Sequence, residues 1–529
     1  MKKFVSFFLV MMMLLPFALF AGGVSESGTV IAEKKEPVAL SLAMNASWGN
    51  LCPLSGTASY DQYIYDALYE KLVFITGDYE LTSRAADSWA VSGNNTVFTF
   101  HLNKNAKWSD GTPVTAKDWV FAAQMATNPD FATPRKSLYA AYSGTDKSGN
   151  QLSDKSVGWK AIDDYTLEIT LKAPQDITAF MITNNNAIFP MPVHVLGMIP
   201  PGELLKNAYW QKPLCCGPVI FESQVQGSEL QGRANSDYYR GKLQFDSVVY
   251  RVITQNSLAA AFLGGVLDFS FNTMTFEDVM ATIGSGMVVE NFTKSPLSTG
   301  VMVFNSKTLT DARIRQAIRY CIDQEAISQV IYSGESVISA MPTVPTGAYY
   351  DPKYEVYAEY NLEKAKALFD AAGWDYSRVL KFGTPTGPRA DAAAIIQQSL
   401  TSIGVKSEIT TGDAATILAN ERNGVYDIGL VSFTAFTNDP STMTSSLYQY
   451  AYGLDDTFNN LSAKVTSKLT TAERVVEAKA YFDHYFQYCP MANIYKTPMY
   501  YVNNIKFSGW DSTASVANYN TNYIDFVKK

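Results

Sequence analysis

Apolar residues along this chain follow two different periods, and the way those periods alternate predicts the elements. Phe98, Phe100 and Leu102 alternate with Val97, Thr99 and His101, as in a half-buried strand. Ser109-Asp110-Gly111 then makes a turn cluster, and Pro113 holds the following residues extended. Thr115 and Asp118 stand three apart in a capping-box arrangement, and Ala116, Trp119, Val120 and Ala123 repeat at helical spacing behind them. The unit is strand, turn, capped helix.

The same interleaving recurs. Residues 38–44 read as a strand, 60–72 as a helix, and 166–172 as a strand through Leu167, Ile169 and Leu171. An extended apolar run at 297–305 precedes a helix-rich region, and a lobe boundary is placed there. Beyond it Asp311 caps a helix that turns Ile314, Ala317, Ile318, Cys321 and Ile322 inward and leaves Arg313, Arg315 and Arg319 on other faces. A second helix spans 361–373, with Leu362, Ala365, Leu368, Phe369 and Ala372 inward and Gly373 at its end. A third follows at 391–404, then a strand at 405–410. The pattern is mixed α/β or α+β, without internal repeats.

The N-terminus changes the compartment. Lys2 and Lys3, an apolar run from Phe4 to Phe20, and Ala21 before a glycine pair form the layout of a secretory signal peptide over residues 1–21. No cysteine sits at the cleavage site, so a free periplasmic protein is expected rather than a lipoprotein. Residues 22–37 read as a flexible leader. Removing 21 of the 529 residues leaves a chain too long for one core, so two or three domains are expected. The formal charge of −8 becomes −10 without the two leading lysines, which argues against nucleic acid or an anionic membrane surface as partner. With 32 Tyr, 29 Phe and 8 Trp, aromatic content suits a lined ligand cavity. Five cysteines, Cys52, Cys215, Cys216, Cys321 and Cys489, leave at least one free, and none has zinc-ligand spacing.

Four separated segments then fit one pattern. Residues 108–123, the Gly217-Pro218 turn followed by Asn235-Ser-Asp-Tyr-Tyr-Arg-Gly-Lys242, the 311–323 helix with its Arg-Gln-Ala-Ile core, and 361–373 resemble the extracytoplasmic solute-binding proteins of family 5. These are receptors of ABC importers for oligopeptides, dipeptides, nickel complexes and some oligosaccharides. The resemblance covers roughly residues 38–525. It departs at Cys215-Cys216-Gly217-Pro218-Val219, where the family usually has Gly-Thr-Gly-Pro-Tyr. It implies a two-lobed α/β clamp with mixed sheets flanked by helices. Lobe I would comprise 38–72, 191–298 and 499–529, an extra subdomain 73–190, and lobe II 299–498.

The resemblance also locates the ligand. Peptide-binding relatives place an aspartate three residues before an Asp/Glu-Pro pair, where it meets the peptide's α-ammonium. The pair here is Asp439-Pro440, the corresponding residue is Phe436, and nothing from Ser432 to Asn438 is acidic. A buried ammonium without a counter-charge is costly. A neutral ligand such as an oligosaccharide is therefore the favoured expectation, with a peptide as the alternative. Sugar rings pack on aromatic faces, so Phe433 and Phe436 with Asn438 and Asp439 are candidate contacts, faced by Asn45 and Trp48. Core packing is the competing reading for each aromatic. No catalytic residue, cofactor or metal is expected. A monomer that hands its ligand to a permease with separate ATPase subunits is. A secreted hydrolase is the remote alternative, since His101, His194 and His484 lie far apart and no hydrolase motif is present.

Overall fold

Two long strands, Val288–Phe304 and Met491–Asn504, run antiparallel through the middle of a ten-stranded sheet and carry the chain between its two halves. The computed structural model describes residues 36–529 apart from 57, 78–79, 154, 275, 287, 344, 346, 435–442, 444–453, 512–513 and 516–518. The expected signal peptide and nearly all of the expected leader lie outside the described residues.

On one side of the long pair stand Phe269–Ser270, Ala39–Met44, Ser247–Val252, Glu229–Ala234 and Val219–Val225, in that order. On the other stand Ile428–Thr434, Val379–Pro385 and Lys406–Gly412. The second-half strand Ile428–Thr434 joins Val288–Phe304 only from Ser298 onward. The pairing of the long strands shifts register between Thr293 and Leu297, opposite Pro498, which has no amide to give the ladder. The ladder is thus irregular where the chain changes halves.

The cores divide accordingly. Leu40, Leu42, Ile64, Tyr65, Val248, Tyr250 and Phe269 pack in the first half. In the second half, Met302, Phe304, Ile318, Phe369, Phe382 and Ile396 pack on one face of the sheet, and Val301, Val303, Val431, Tyr481 and Phe482 on the other. A separate antiparallel sheet, in the order Ala86–Ser92, Val97–Leu102, Thr166–Thr170, Trp159–Asp163, closes its own core over the helix Ala116–Thr127.

The strand-turn-helix unit forms as its pattern predicts. Gly111 takes φ +90° in a turn closed by its amide on the Trp108 carbonyl, 2.8 Å away. The Thr115 amide donates to the Asp118 carboxylate at 2.8 Å, and the Val193 amide reaches its other oxygen at 3.0 Å. Trp108 is buried in the first-half core while Trp119 is buried in the subdomain core, so this unit fastens the two together. Ser109 and Cys215 tie it further, exchanging a 2.7 Å backbone bond and a 3.1 Å side-chain bond.

The Gly217-Pro218 and 235–242 segments meet around the end of the helix Ser59–Leu68. Cys216 and Gly217 donate to the Leu68 carbonyl, and a Cβ at 217 would come within 2.5 Å of the Ala67 carbonyl oxygen. The helix stops four residues short of the expected 72 because Glu70 and Lys71 turn inward. Arg84 grips Asp66 and Glu70, Lys71 lies 3.3 Å from Asp66, and all four side chains are 0–1% exposed. Tyr238 and Tyr239 donate to Glu70 at 2.9 and 3.2 Å, and the Thr521 amide donates to Asp66 at 2.6 Å. Burial raises the Glu70 carboxyl and lowers the Lys71 ammonium to about 8.

Arg315 and Arg319 do not face solvent. Arg315 is 1% exposed, donates to the carbonyls of Leu309, Thr310, Tyr488 and Cys489, and stacks on the Tyr488 ring at 4.5 Å. The helix Ala312–Arg319 is covered on its polar side as well, which its own periodicity does not show. All five cysteines are free and buried.

Candidate functional site

The strands Val379–Pro385 and Ile428–Thr434 run parallel, and in open α/β sheets the crevice beyond the carboxyl ends of such strands is where ligands bind. Beyond the first, Gly387 takes φ +93° and starts the helix Pro388–Ser402, three residues earlier than expected. Its Arg389 donates to the Ser432 hydroxyl at 3.3 Å. The second leads into residues 435–440. Phe433 pairs in register with Thr299, and Thr299 with Lys496 on its other side, which places this row at the change of halves. The Tyr495 ring lies over Gly300, where a Cβ would fall 2.2 Å from it, and packs on Tyr332 with centroids 4.8 Å apart.

Lys496 is fully buried. It donates to the Ser339 hydroxyl at 3.3 Å and to the Met341 and Thr343 carbonyls, while Glu355 accepts from Ser339 at 2.8 Å. Burial lowers its ammonium to about 7, opposed by the charge of Glu355. The 339–343 segment is thereby fixed to a strand that both halves share. The Thr299 hydroxyl, buried on the next strand, has no hydrogen-bond partner.

The six sequence candidates fare differently. Phe436, Asn438 and Asp439 lie outside the described residues. Phe433 is placed in the strand Ile428–Thr434. Asn45 is exposed just past the strand Ala39–Met44. Trp48 is 2% exposed within the first-half core, and its indole N–H donates to Gln224 at 2.7 Å. Its ring is packed as a core ring is, beneath the hairpin that joins Val219–Val225 to Glu229–Ala234.

Sequence reasoning missed Glu421. This residue, near the end of the helix Ala414–Arg422, is 4% exposed, and neither carboxyl oxygen has a hydrogen-bond partner. It lies on Gly429, where a Cβ would come within 2.3 Å of its Cδ. Burial raises its carboxyl from 4.5 to about 8, opposed by Arg422 and Arg389. The negative end of the helix dipole acts in the same direction as burial. A lone glycine inside an apolar strand was the one available signal, because it marks a close approach. Between about pH 4.5 and 8 the folded chain holds this proton and the unfolded chain does not, so its contribution to stability falls as pH rises through that window. Glu421→Gln keeps the shape of the neutral acid. Urea midpoints at about pH 5 and about pH 8 are expected to differ less in this variant than in the parent, and equal differences would refute the assignment.

Among the described residues no group of three His, Cys, Asp or Glu side chains could hold a metal ion, and no helix is long and apolar enough to cross a membrane. Two halves joined by two crossing strands, with mixed sheets flanked by helices, make the architecture of a two-lobed periplasmic binding protein. The chain belongs to the bacterial extracellular solute-binding proteins, family 5, whose middle region matches residues 80–453. It is 27% identical over 511 residues to the periplasmic murein peptide-binding protein MppA of Escherichia coli strain K12, covering 92% of this chain and 91% of that one. It is 27% identical over 433 residues to the oligopeptide-binding protein AppA of Bacillus subtilis strain 168, covering 77% and 76%. The crystal structure of the ABC transporter substrate-binding protein CtaP from Listeria monocytogenes shares the fold, with a TM-score of 0.79 at 21% identity over 93% of this chain and all of that one.

Proposed function

We propose that this chain is the substrate-binding component of an ABC importer and that it captures a peptide between its lobes. The observation that carries the reading is the likeness to a murein peptide-binding protein along nearly the full length of both chains. An oligopeptide-binding relative points the same way. The oligosaccharide favoured from the missing acid at 432–438 finds no counterpart among these relatives and gives way to the peptide alternative. Lobe I takes 38–72, 191–298 and 499–529, the extra subdomain 73–190, and lobe II 299–498. Residues 1–21 act as an export signal.

Contacts from both lobes exist together only in the closed form, so a ligand shifts the population toward it, with the crossing strands as hinge. The closed clamp is then read by a permease whose ATPase subunits supply the energy. The residues proposed to meet the ligand remain Phe433, Phe436, Asn438 and Asp439 in lobe II and Asn45 in lobe I. A thermal-shift screen of di- to nonapeptides against oligosaccharides is the test. A peptide at a hundred times its Kd adds about 2.7 kcal/mol to the folded state and raises the midpoint, while sugars leave it in place. Stabilisation by sugars with peptides inert would reverse the assignment.

A further inference from the structure

Where the strands Val379–Pro385 and Ile428–Thr434 end, one cation is left without an acid. Arg389 is the second residue of the helix Pro388–Ser402, half-buried, and its Nη1 donates to the neutral Ser432 hydroxyl at 3.3 Å. Among the described residues Nε and Nη2 find no partner, and the loop beside Arg389, residues 386–388, is exposed, so a ligand reaches the guanidinium without displacing the core. Elsewhere in the second half Arg313 is met by Asp311 at 2.6 Å, Arg378 by Asp427 at 2.7 Å, and Arg315 by four backbone carbonyls.

The acids in reach do not neutralise it. Asp391, two places along the helix, is exposed, and residues two apart on a helix do not face each other. Glu421 is held protonated by burial, its carboxyl raised to about 8, and supplies no negative charge near neutral pH. The placement also runs against the helix. The first turn carries partial positive charge, and Gly387 offers no side-chain cap to its amides. A guanidinium in that turn is disfavoured until an anion joins it.

We propose that Arg389 receives a carboxylate of the ligand and that the clamp selects acidic peptides; this rests on the peptide reading of the site. Ser432 pairs with Gly300, and Gly300 with Tyr495, so Arg389 stands at the end of a row that crosses three strands at the change of halves. The Tyr495 ring lies over Gly300, with Tyr332 packed against it. Burial raises both phenols and the Arg389 charge opposes the rise, which places the guanidinium and the two rings in one neighbourhood. Guanidinium, phenol and hydroxyl all donate, and a carboxylate accepts on both oxygens. An ammonium finds no charged acceptor in this row, and nothing from Ser432 to Asn438 is acidic. The open Nε and Nη2 edge presents the fork that takes both carboxylate oxygens at once. The carboxylate comes from an acidic side chain or from the peptide's own terminus.

Isothermal titration calorimetry on the full chain, freed of carried-over ligand by unfolding and refolding, tests this. The probes are alanine tetrapeptides with glutamate scanned through each position, their glutamine twins, and both sets again with the C-terminus amidated. One carboxylate is expected to tighten binding about ten- to a hundredfold over its neutral twin, the range of a hydrogen bond to a charged group. A gap between glutamate and glutamine names the side chain as its source, and a gap on amidation names the terminus. Arg389→Gln should erase the gap, and Arg389→Lys, which keeps the charge without the fork, should retain part of it. Equal binding of charged and neutral twins, or a gap that survives in Arg389→Gln, overturns the proposal and leaves the peptide reading standing. If no peptide binds, the peptide reading falls. Glutarate and citrate are then titrated into the parent and Arg389→Gln: binding lost in the variant sustains the carboxylate site, and binding indifferent to the substitution, or none, overturns it.

Discussion

Arg84→Met is expected to destabilise the fold by about 3–5 kcal/mol, the cost of stranding buried charges when one partner of a buried ion pair is removed. Arg84 answers two acids at once: Nε lies 3.2 Å from Glu70, Nη1 bonds the Asp66 carboxylate, and Nη2 donates to the Asp66 carbonyl at 2.8 Å. Lys71 can still reach Asp66 in the variant, but Glu70 keeps just the hydroxyls of Tyr238 and Tyr239 and the more distant charge of Arg240. Its carboxyl, already raised by burial, then rises further. A carboxyl whose folded pKa lies above its unfolded one stabilises at low pH and loses that contribution as pH rises. The deficit of Arg84→Met should therefore be smallest in acid and grow toward neutrality. Arg84→Lys should fall between, because an ammonium cannot present the planar fork that meets both acids. Urea unfolding of the three proteins across that pH range is the measurement, and a pH-independent deficit below about 1 kcal/mol would contradict this account.

Trp119→Ala should cost a similar amount, about 3–5 kcal/mol, the range for truncating a buried aromatic. Trp119 is 0% exposed in the subdomain core with Phe98, Phe100, Leu167 and Ile169. Its indole N–H has no partner, so the loss is one of packing and cavity rather than of a hydrogen bond. Trp119→Phe is accordingly expected to be much milder, since it keeps most of the ring and removes an unpaired donor. The damage should stay local. The helix it sits on belongs to the subdomain, while Lys496, Glu421 and the 428–434 strand lie in the other lobe. Peptide affinity measured below the unfolding transition should be unchanged in Trp119→Phe, and a large loss of affinity there would mean that the subdomain takes part in binding.

Local elements were well written in the sequence. The strand Val97–Leu102 buries Phe98, Phe100 and Leu102, the helix Ala116–Thr127 starts at the Thr115–Asp118 box, and Asn361 caps the helix Leu362–Ala371. Each depends on contacts within a few residues, which periodicity and capping report directly. The apolar run at 297–305 lies in the longer strand Val288–Phe304, whose pairing with Met491–Asn504 spans almost two hundred residues of sequence and is not written in local periodicity.

The sequence by itself determined the class of receptor, through four collinear segments whose turns and caps are local. It also settled which faces of the exposed helices and strands are apolar. Only the tertiary structure decided which polar side chains lose their water. Arg315 on a polar helix face, Lys496 on a crossing strand, Arg84 between two acids, and Glu421 against a glycine are chemically indistinguishable in the sequence from solvated neighbours. The physical reason is that periodicity names the face a residue stands on, whereas burial depends on what another part of the chain lays over that face. Charge turns into chemistry only after that covering is in place, when the dielectric falls and an unpaired group must find a partner.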